Sequence, residues 1–287
     1  MEKKNLGNFC IVGFPDELGI RNVGGRLGAK EGPAAFLEAF GRVNGQTNIR
    51  EAMSPAVLVT MSDDLEKNYL AAVQEVERAR MITLQPKETL VVVGGGHDYA
   101  YPWIRGIAQS NKTKKKIGCL NIDAHFDLRE YEAKMTSGSP FRRLIEEKWL
   151  NSAYLVEFGI QAHCNVPALW DYAAEKKIKI IPFEKLRNGQ AVSEFKKALQ
   201  ALSKTCDEVM LSVDLDALSF AYCPGVSAPQ GEGFTGSELY QMLEIAGADK
   251  KVTSLGIFEL SPPLDFQNYT SRLAAQATWH FLHAKNR

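Results

Sequence analysis

LVVVGGGHD, Leu90–Asp98, opens on a valine-rich run and closes on three glycines, a histidine and an aspartate. From Leu90 to Val93 every residue is apolar, the pattern of a strand buried on both faces in a parallel sheet covered by helices. VMLSV, inside Glu208–Val213, reads the same way, and further strand-like runs lie at Asn8–Phe14, Ala56–Thr60, Thr89–Val93, Lys116–Ile122, Ala153–Ile160, Lys177–Pro182 and Ser254–Phe258. Between them, helical spacing marks Leu65–Arg80 and Ser193–Leu202. Helices are also expected at Pro33–Phe40, where Pro sits just inside the start, at Ser237–Ile245 and at Ser271–His283. Strands alternating with helices predict βαβ units and an open α/β sheet. No Pro-, Gly- or Ser-rich linker divides the chain, so a single α/β domain over residues 1–287 is expected.

Composition narrows the function classes. Hydrophobic residues make up 45% of the 287, enough to build a core without staples, and this excludes a disordered chain. Lys plus Arg (34) balances Asp plus Glu (34), so no overall basic field draws the protein to nucleic acid or to an anionic membrane. The one basic run, Lys112–Lys116, sits before a strand and reads as a solvated turn. The five cysteines are scattered and odd in number, without Cys-x-x-Cys spacing, which argues against a disulfide framework and a thiolate zinc site. The N-terminal stretch is a poor signal peptide and no apolar run reaches the ~20 residues of a membrane span. A cytoplasmic protein is the expectation.

Chemistry concentrates where strands end, which is where open α/β sheets place their sites. One run delivers His97, LNIDAHFD delivers Asp123, His125 and Asp127, and LSVDLDAL delivers Asp214 and Asp216. In extended backbone, residues two apart face the same side, so Asp123, His125 and Asp127 could face one point, and Asp214 and Asp216 likewise. Gly94–Gly96 are expected to let the chain turn tightly before His97. Four carboxylates and two imidazoles converging without a cation would repel and desolvate badly, and two divalent ions bridged by carboxylates would reverse that cost. Oxygen-rich ligands with some imidazole and no thiolate suit manganese best, with iron, cobalt or nickel less specifically indicated.

GGGHD (Gly94–Asp98), DAHFD (Asp123–Asp127) and SVDLD (Ser212–Asp216) resemble the three metal signatures of the ureohydrolase family, which includes arginases, agmatinases and formimidoylglutamases. Gly28, Gly32 and Pro33 are similar to its N-terminal Gly-x-x-x-Gly-Pro element, and Glu259 in FELSPPLD to its Glu-x-x-Pro-x-x-Asp element. The resemblance implies a three-layer α/β/α fold with a mostly parallel central sheet. It also implies two Mn2+ per chain, one on His97, Asp123, Asp127 and Asp214, the other on Asp123, His125, Asp214 and Asp216. Asp123 and Asp214 would bridge. Glu259 would meet the cationic nitrogens of a small-molecule amidine or guanidine, and trimers or hexamers are the implied assemblies.

Within the family, DELGIRNVGGRLGA (Asp16–Ala29), SGSPFRRL (Ser137–Leu144) and CPGVSAP (Cys223–Pro229) are similar to the formimidoylglutamase branch. Phe141 stands where arginases carry a histidine. The third motif departs from many members, having Ser219 and Phe220 where they continue Asp-Pro. The expected reaction is hydrolysis of N-formimidoyl-L-glutamate to L-glutamate and formamide. Asp127 is expected to relay a proton, and Arg129, Arg142, Ser137 and Tyr131 to contact substrate, because arginine grips carboxylates with paired hydrogen bonds. Release of urea from agmatine or a guanidino acid stays open as the alternative. So does a single-zinc deacetylase on a related sheet, which two bound metals would disfavour.

Overall fold

The computed structural model describes residues 9–43, 53–82, 89–111 and 115–286. Among these, eight strands form one sheet: β1 Phe9–Phe14, β2 Val57–Leu58, β3 Thr89–Gly94, β4 Ile117–Ile122, β5 Leu155–Ile160, β6 Lys179–Pro182, β7 Glu208–Asp214 and β8 Val252–Phe258. All pairings are parallel, in the order β2-β1-β3-β8-β7-β4-β5-β6. Each apolar run read from the sequence coincides with one of them. Asn8, and residues 112–114 of the basic run, lie outside the described residues.

The helices are α1 Leu18–Val23, α2 Gly32–Gly41, α3 Leu65–Ile82, α4 Ala100–Ser110, α5 Pro140–Glu146, α6 Pro167–Glu175, α7 Ala191–Thr205, α8 Gly236–Ala248 and α9 Tyr269–Lys285. Four of these, α1, α4, α5 and α6, do not stand out in the sequence. Helix α1 is six residues long and contains Gly19; α5 and α6 are short and begin at prolines. Helix α4 buries Tyr101, Trp103, Ile104 and Ile107, but carries Pro102 and Gly106 within its eleven residues, both of which read against a helix. Its Pro102 lies in the first turn, where no intrahelical N–H is lost.

Alternation along the strands builds two cores. Phe9 and Ile11 of β1, Val91 and Val93 of β3, and Leu211 and Val213 of β7 face a layer of α2, α7, α8 and α9 side chains, among them Phe36, Phe195, Met242 and Phe281. Cys10 and Val12, Leu90 and Val92, and Met210 face the opposite layer, with Tyr69 of α3, Trp103 of α4, Leu144 of α5 and Ala173 of α6. This is the three-layer α/β/α arrangement, and it explains why β1, β3, β4, β5 and β7 read as buried runs, every residue of them being covered, while the edge strands β2 and β6 are partly exposed.

β3, β8, β7 and β4 are consecutive neighbours running in one direction, so their carboxyl ends emerge side by side. The glycines after β3 do a different job from the tight turn expected of them. None of Gly94, Gly95 and Gly96 has a positive φ. They are needed for room: a Cβ on Gly95 would sit 1.9 Å from the Asp16 carbonyl oxygen, and one on Gly94 would sit 2.4 Å from the Phe258 ring. The chain after β3 is thus pressed between the β1 and β8 exits. Gly95→Ala is expected to destabilise the protein by about 2–4 kcal/mol, because backbone rather than a flexible side chain must yield; urea denaturation checks this, and an unchanged midpoint would contradict the close approach.

Candidate metal centre

His97 leaves β3 at the start of a short 3-10 turn, His97–Tyr99, and its ring is buried. Phe258 stacks on it at 4.8 Å between centroids and Phe141 meets it edge-on at 5.6 Å. Its Nε2 lies 2.8 Å from Ser212 Oγ. With Nε2–H donating to that hydroxyl, Nδ1 presents a lone pair to the cleft. Around Nδ1 stand Oδ2 of Asp127 at 2.9 Å, of Asp123 at 3.0 Å and of Asp214 at 3.1 Å. None meets Nδ1 along a hydrogen-bond direction, so the nitrogen is buried without a partner.

The other ligand candidates gather beside this group, though not by strand alternation. β4 ends at Ile122, and the Asp123 carboxylate turns back to accept the His125 N–H at 2.7 Å. Asp127 takes φ +52°, outside any strand. Asp214 accepts the Asp216 N–H at 2.8 Å, capping the 3-10 turn Leu215–Ala217. The aspartates thus bend their own backbone locally, as short polar side chains do at turns and caps. His125 Nδ1 lies 3.2 Å from Asp216 Oδ2 and 3.6 Å from Asp123 Oδ1.

Two ligand groups result. His97, Asp123, Asp127 and Asp214 form one; Asp123, His125 and Asp216 form the other; within each, the ligand atoms lie within 4.8 Å of one another. Asp123 is common to both. A divalent cation fits this donor set on local grounds. His97 Nδ1 and Asp216 Oδ1 are buried and unpartnered, and such atoms cost about 1–3 kcal/mol each unless something satisfies them. Behind the ligands, Asn121 Nδ2 donates to Asp123 Oδ2 at 3.3 Å and to Glu157 Oε2 at 3.0 Å, tying Asp123 to a buried carboxyl on β5. Burial pushes Glu157 well above the ordinary carboxyl range.

Glu259 follows β8 directly with φ +67°, and its N–H is held by the Gly95 carbonyl at 2.8 Å. Its Oε1 accepts the His97 N–H at 2.9 Å. Two site carboxylates, Asp127 and Glu259, therefore occupy backbone conformations that non-glycine residues seldom adopt, a strain typical of functional positions.

The cleft over this floor measures about 290 Å³. Arg129 and Ser137 line it, with Arg26, Asn165 and Ser227. The Arg129 side chain lies across Gly138, where a Cβ would come within 2.9 Å of its Cδ. Arg142 is not in this cleft. Its guanidinium pairs with Glu146 at 2.9 Å and Glu130 at 3.7 Å and covers the Tyr172 ring, lining a separate groove that also touches Arg129. Nor does Tyr131 line the cleft; its ring lies 5.6 Å from the Arg143 guanidinium. The reason is one of helix direction. Arg142 lies on α5, which turns it toward its own i+4 glutamate, while Arg129 leaves the β4 loop pointing across the opening. Arg26, Asn165 and Ser227 are the residues the sequence reading missed; Arg26 and Ser227 lie inside segments singled out there, DELGIRNVGGRLGA and CPGVSAP.

Protons reveal the crowding. Burial, reinforced by neighbouring carboxylates, pushes Asp214, Glu259 and Asp127 upward. Burial takes Asp216 to about 6 against the pull of His125, and Asp98 to about 7. Asp123 is held low: burial opposes this, but its contacts with His125 and His97 prevail. His97 and His125 are raised because adjacent carboxylates outweigh their own burial. Raised acids and raised imidazoles both mean that the folded chain binds more protons than the unfolded one, so metal-free stability must fall as pH rises. Thermal melts should show this decline beginning near pH 4, the unfolded carboxyl value, continuing through pH 7, where Asp98 titrates, and onward above it, because the His97 and His125 imidazoles are held well above their ordinary value. A saturating divalent cation should abolish most of it and release protons on binding. A metal-free melt that rises across this window would contradict the crowded site.

The arginase family model matches residues 7–284. The chain is 32% identical over 283 residues to a formimidoylglutamase of Staphylococcus aureus strain MSSA476, covering 98% of this chain and 88% of the relative. The crystal structure of Trypanosoma cruzi formiminoglutamase with Mn2+ superimposes with a TM-score of 0.87 at 25% identity, over 100% of this chain and 96% of that one. Formimidoylglutamase from Bacillus subtilis, 23% identical over 99% of this chain and 89% of that chain, shares the fold with a TM-score of 0.87. Matched from end to end by the family model and by these relatives, the chain belongs to the arginase family.

Proposed function

We propose that this protein is a binuclear manganese hydrolase that cleaves N-formimidoyl-L-glutamate to L-glutamate and formamide. One observation carries the reading: two ligand groups sharing Asp123 lie at the floor of a cleft that also holds the Glu259 carboxylate and the Arg129 guanidinium. The names and Mn2+ of the relatives described above support the same choice of substrate and metal.

His97, Asp123, Asp127 and Asp214 would hold one manganese, and Asp123, His125, Asp214 and Asp216 the other. When bound, the pair supplies hydroxide near neutral pH and offsets the charge of the acidic floor. The chain's own residues do the rest. Glu259, with one oxygen anchored by the His97 N–H, turns the other toward the amidine and pairs with its cationic nitrogens. That pairing fixes the planar carbon for attack from the floor and keeps the amidine protonated, hence electrophilic. Asp127 borders both the floor and the cleft, and is placed to carry a proton to the departing glutamate nitrogen, so that it leaves as a neutral amine. Arg129 takes a substrate carboxylate, and Ser137 adds a hydrogen bond. The acidic floor under a cationic rim suits a molecule with an amidinium at one end and carboxylates at the other. Agmatine has a second cation where this rim offers Arg129, and is disfavoured by repulsion. The single domain over residues 1–287 belongs to this reading, as do a small-molecule partner and trimers or hexamers; among the described residues no helix is long and apolar enough to cross a membrane.

Manganese-loaded protein should release formamide from N-formimidoyl-L-glutamate and negligible urea from arginine or agmatine. Urea as the main product would replace this substrate with a guanidino compound. Asp123→Asn should lose both metal, by elemental analysis, and turnover. Glu259→Gln should keep its metal and lose kcat by roughly a hundredfold or more. Arg129→Ala should raise KM about tenfold with metal content unchanged.

A further inference from the structure

Two guanidinium groups line the cleft, those of Arg26 and Arg129. Arg142 and Arg143, which the chain also brings near, are engaged elsewhere, Arg142 by Glu146 and Arg143 by Glu66 and Glu147. Arg26 follows the turn at Gly24 that ends α1. Its Nε donates to the Ser227 carbonyl and its Nη2 to the Val226 carbonyl, both at 2.9 Å. These two bonds join the loop after α1 to the loop 224–228 and fix the guanidinium at the mouth of the cleft. They occupy one edge of the fork, and Nη1 has no protein partner among the described residues.

We infer that Arg26 is a specificity-determining residue that binds one carboxylate of a dicarboxylate substrate while Arg129 binds the other. The inference rests on the amidine-dicarboxylate reading of the cleft and deepens it. Below the rim, the lining is acidic: Asp127, Asp214, Asp216 and Glu259. A substrate with a cationic head and two anionic groups therefore meets opposite charge at both ends. The number of unneutralised guanidinium groups at the rim equals the number of carboxylates to be held. Carbonyl anchoring matters energetically, because a guanidinium already immobilised loses little side-chain freedom when a carboxylate arrives. A freely rotating surface arginine would give up much of its gain to ordering.

The test compares manganese-loaded wild-type protein with Arg26→Gln, which keeps amide N–H donors for the two carbonyls but removes the charge, and with Arg26→Lys. Three substrates are used: N-formimidoyl-L-glutamate, N-formimidoyl-4-aminobutyrate, which lacks the α-carboxylate, and N-formimidoyl-L-norvaline, which lacks the side-chain carboxylate. On the dicarboxylate, Arg26→Gln should raise KM roughly tenfold or more, with kcat, metal content and melting temperature little changed. Arg26→Lys should recover part of the loss. The penalty should vanish on at least one monocarboxylate, the one lacking the group that Arg26 holds. An equal penalty on all three substrates would make Arg26 a loop tether only and overturn the inference, as would no penalty at all. Wild-type protein that leaves N-formimidoyl-L-glutamate intact overturns the substrate reading itself, a failure seen before any variant is made.

Discussion

Carboxylates do not collect in a buried place unless something compels them to. Here Asp123, Asp127 and Asp214 are pressed around one imidazole nitrogen, His97 Nδ1, at about hydrogen-bond distance yet without hydrogen-bond geometry. Most of the site follows from that constraint. It raises the proton affinity of the cluster, it leaves lone pairs with no partner, and it makes a divalent cation the natural occupant. The imidazole is itself immobilised by the Phe258 stack, the Phe141 edge and the Ser212 hydroxyl, so the cluster cannot relax by swinging its centre aside. Phe141 has a double meaning: an apolar ring where arginases carry histidine, it closes the wall against which His97 is packed.

The sheet explains how such crowding is enforced. Four adjacent parallel strands end at one edge, and each delivers an acid or a histidine of the cleft floor within a few residues of its last ladder pair. Both faces of the sheet are packed against helices, so the strand ends cannot splay apart without opening a core. The strain appears in the backbone, at Asp127 and Glu259, while Gly95, lacking a Cβ, lets the chain pass close to the β1 exit. Rigid ends with strained tips are what a site needs when its geometry must persist whether or not it is charged-balanced.

The acidic floor and cationic rim divide the labour by distance. In the proposed reading, chemistry falls to groups on strand ends, where position is fixed by hydrogen-bonded neighbours, and selectivity to arginines on loops, where the scaffold tolerates change. Arg26 is the intermediate case, a loop residue whose guanidinium is tied to two backbone carbonyls.

The ligand set was legible in the sequence because aspartate and histidine directly after valine-rich runs have few other reasons to be there; His97, Asp123, His125, Asp127, Asp214 and Asp216 all come to one place. The geometry was not legible: strand alternation predicts the convergence, whereas Asx-type turns at Asp123 and Asp214 and a left-handed Asp127 do the aiming. Helices α5 and α6 were hidden by their shortness and by the prolines that open them, and α4 by the Pro102 and Gly106 inside it. By itself the sequence determined the parallel sheet, through apolar runs that only a doubly covered strand can use, and the identity of the metal-type ligands. Only the tertiary structure decided which arginines face the cleft. A guanidinium on a long flexible stem goes wherever the nearest partner holds it: Arg142 turns to its own i+4 Glu146 once α5 forms, whereas Arg26 is held by the Val226 and Ser227 carbonyls, brought to it from a distant part of the chain, and Arg129 is laid across Gly138.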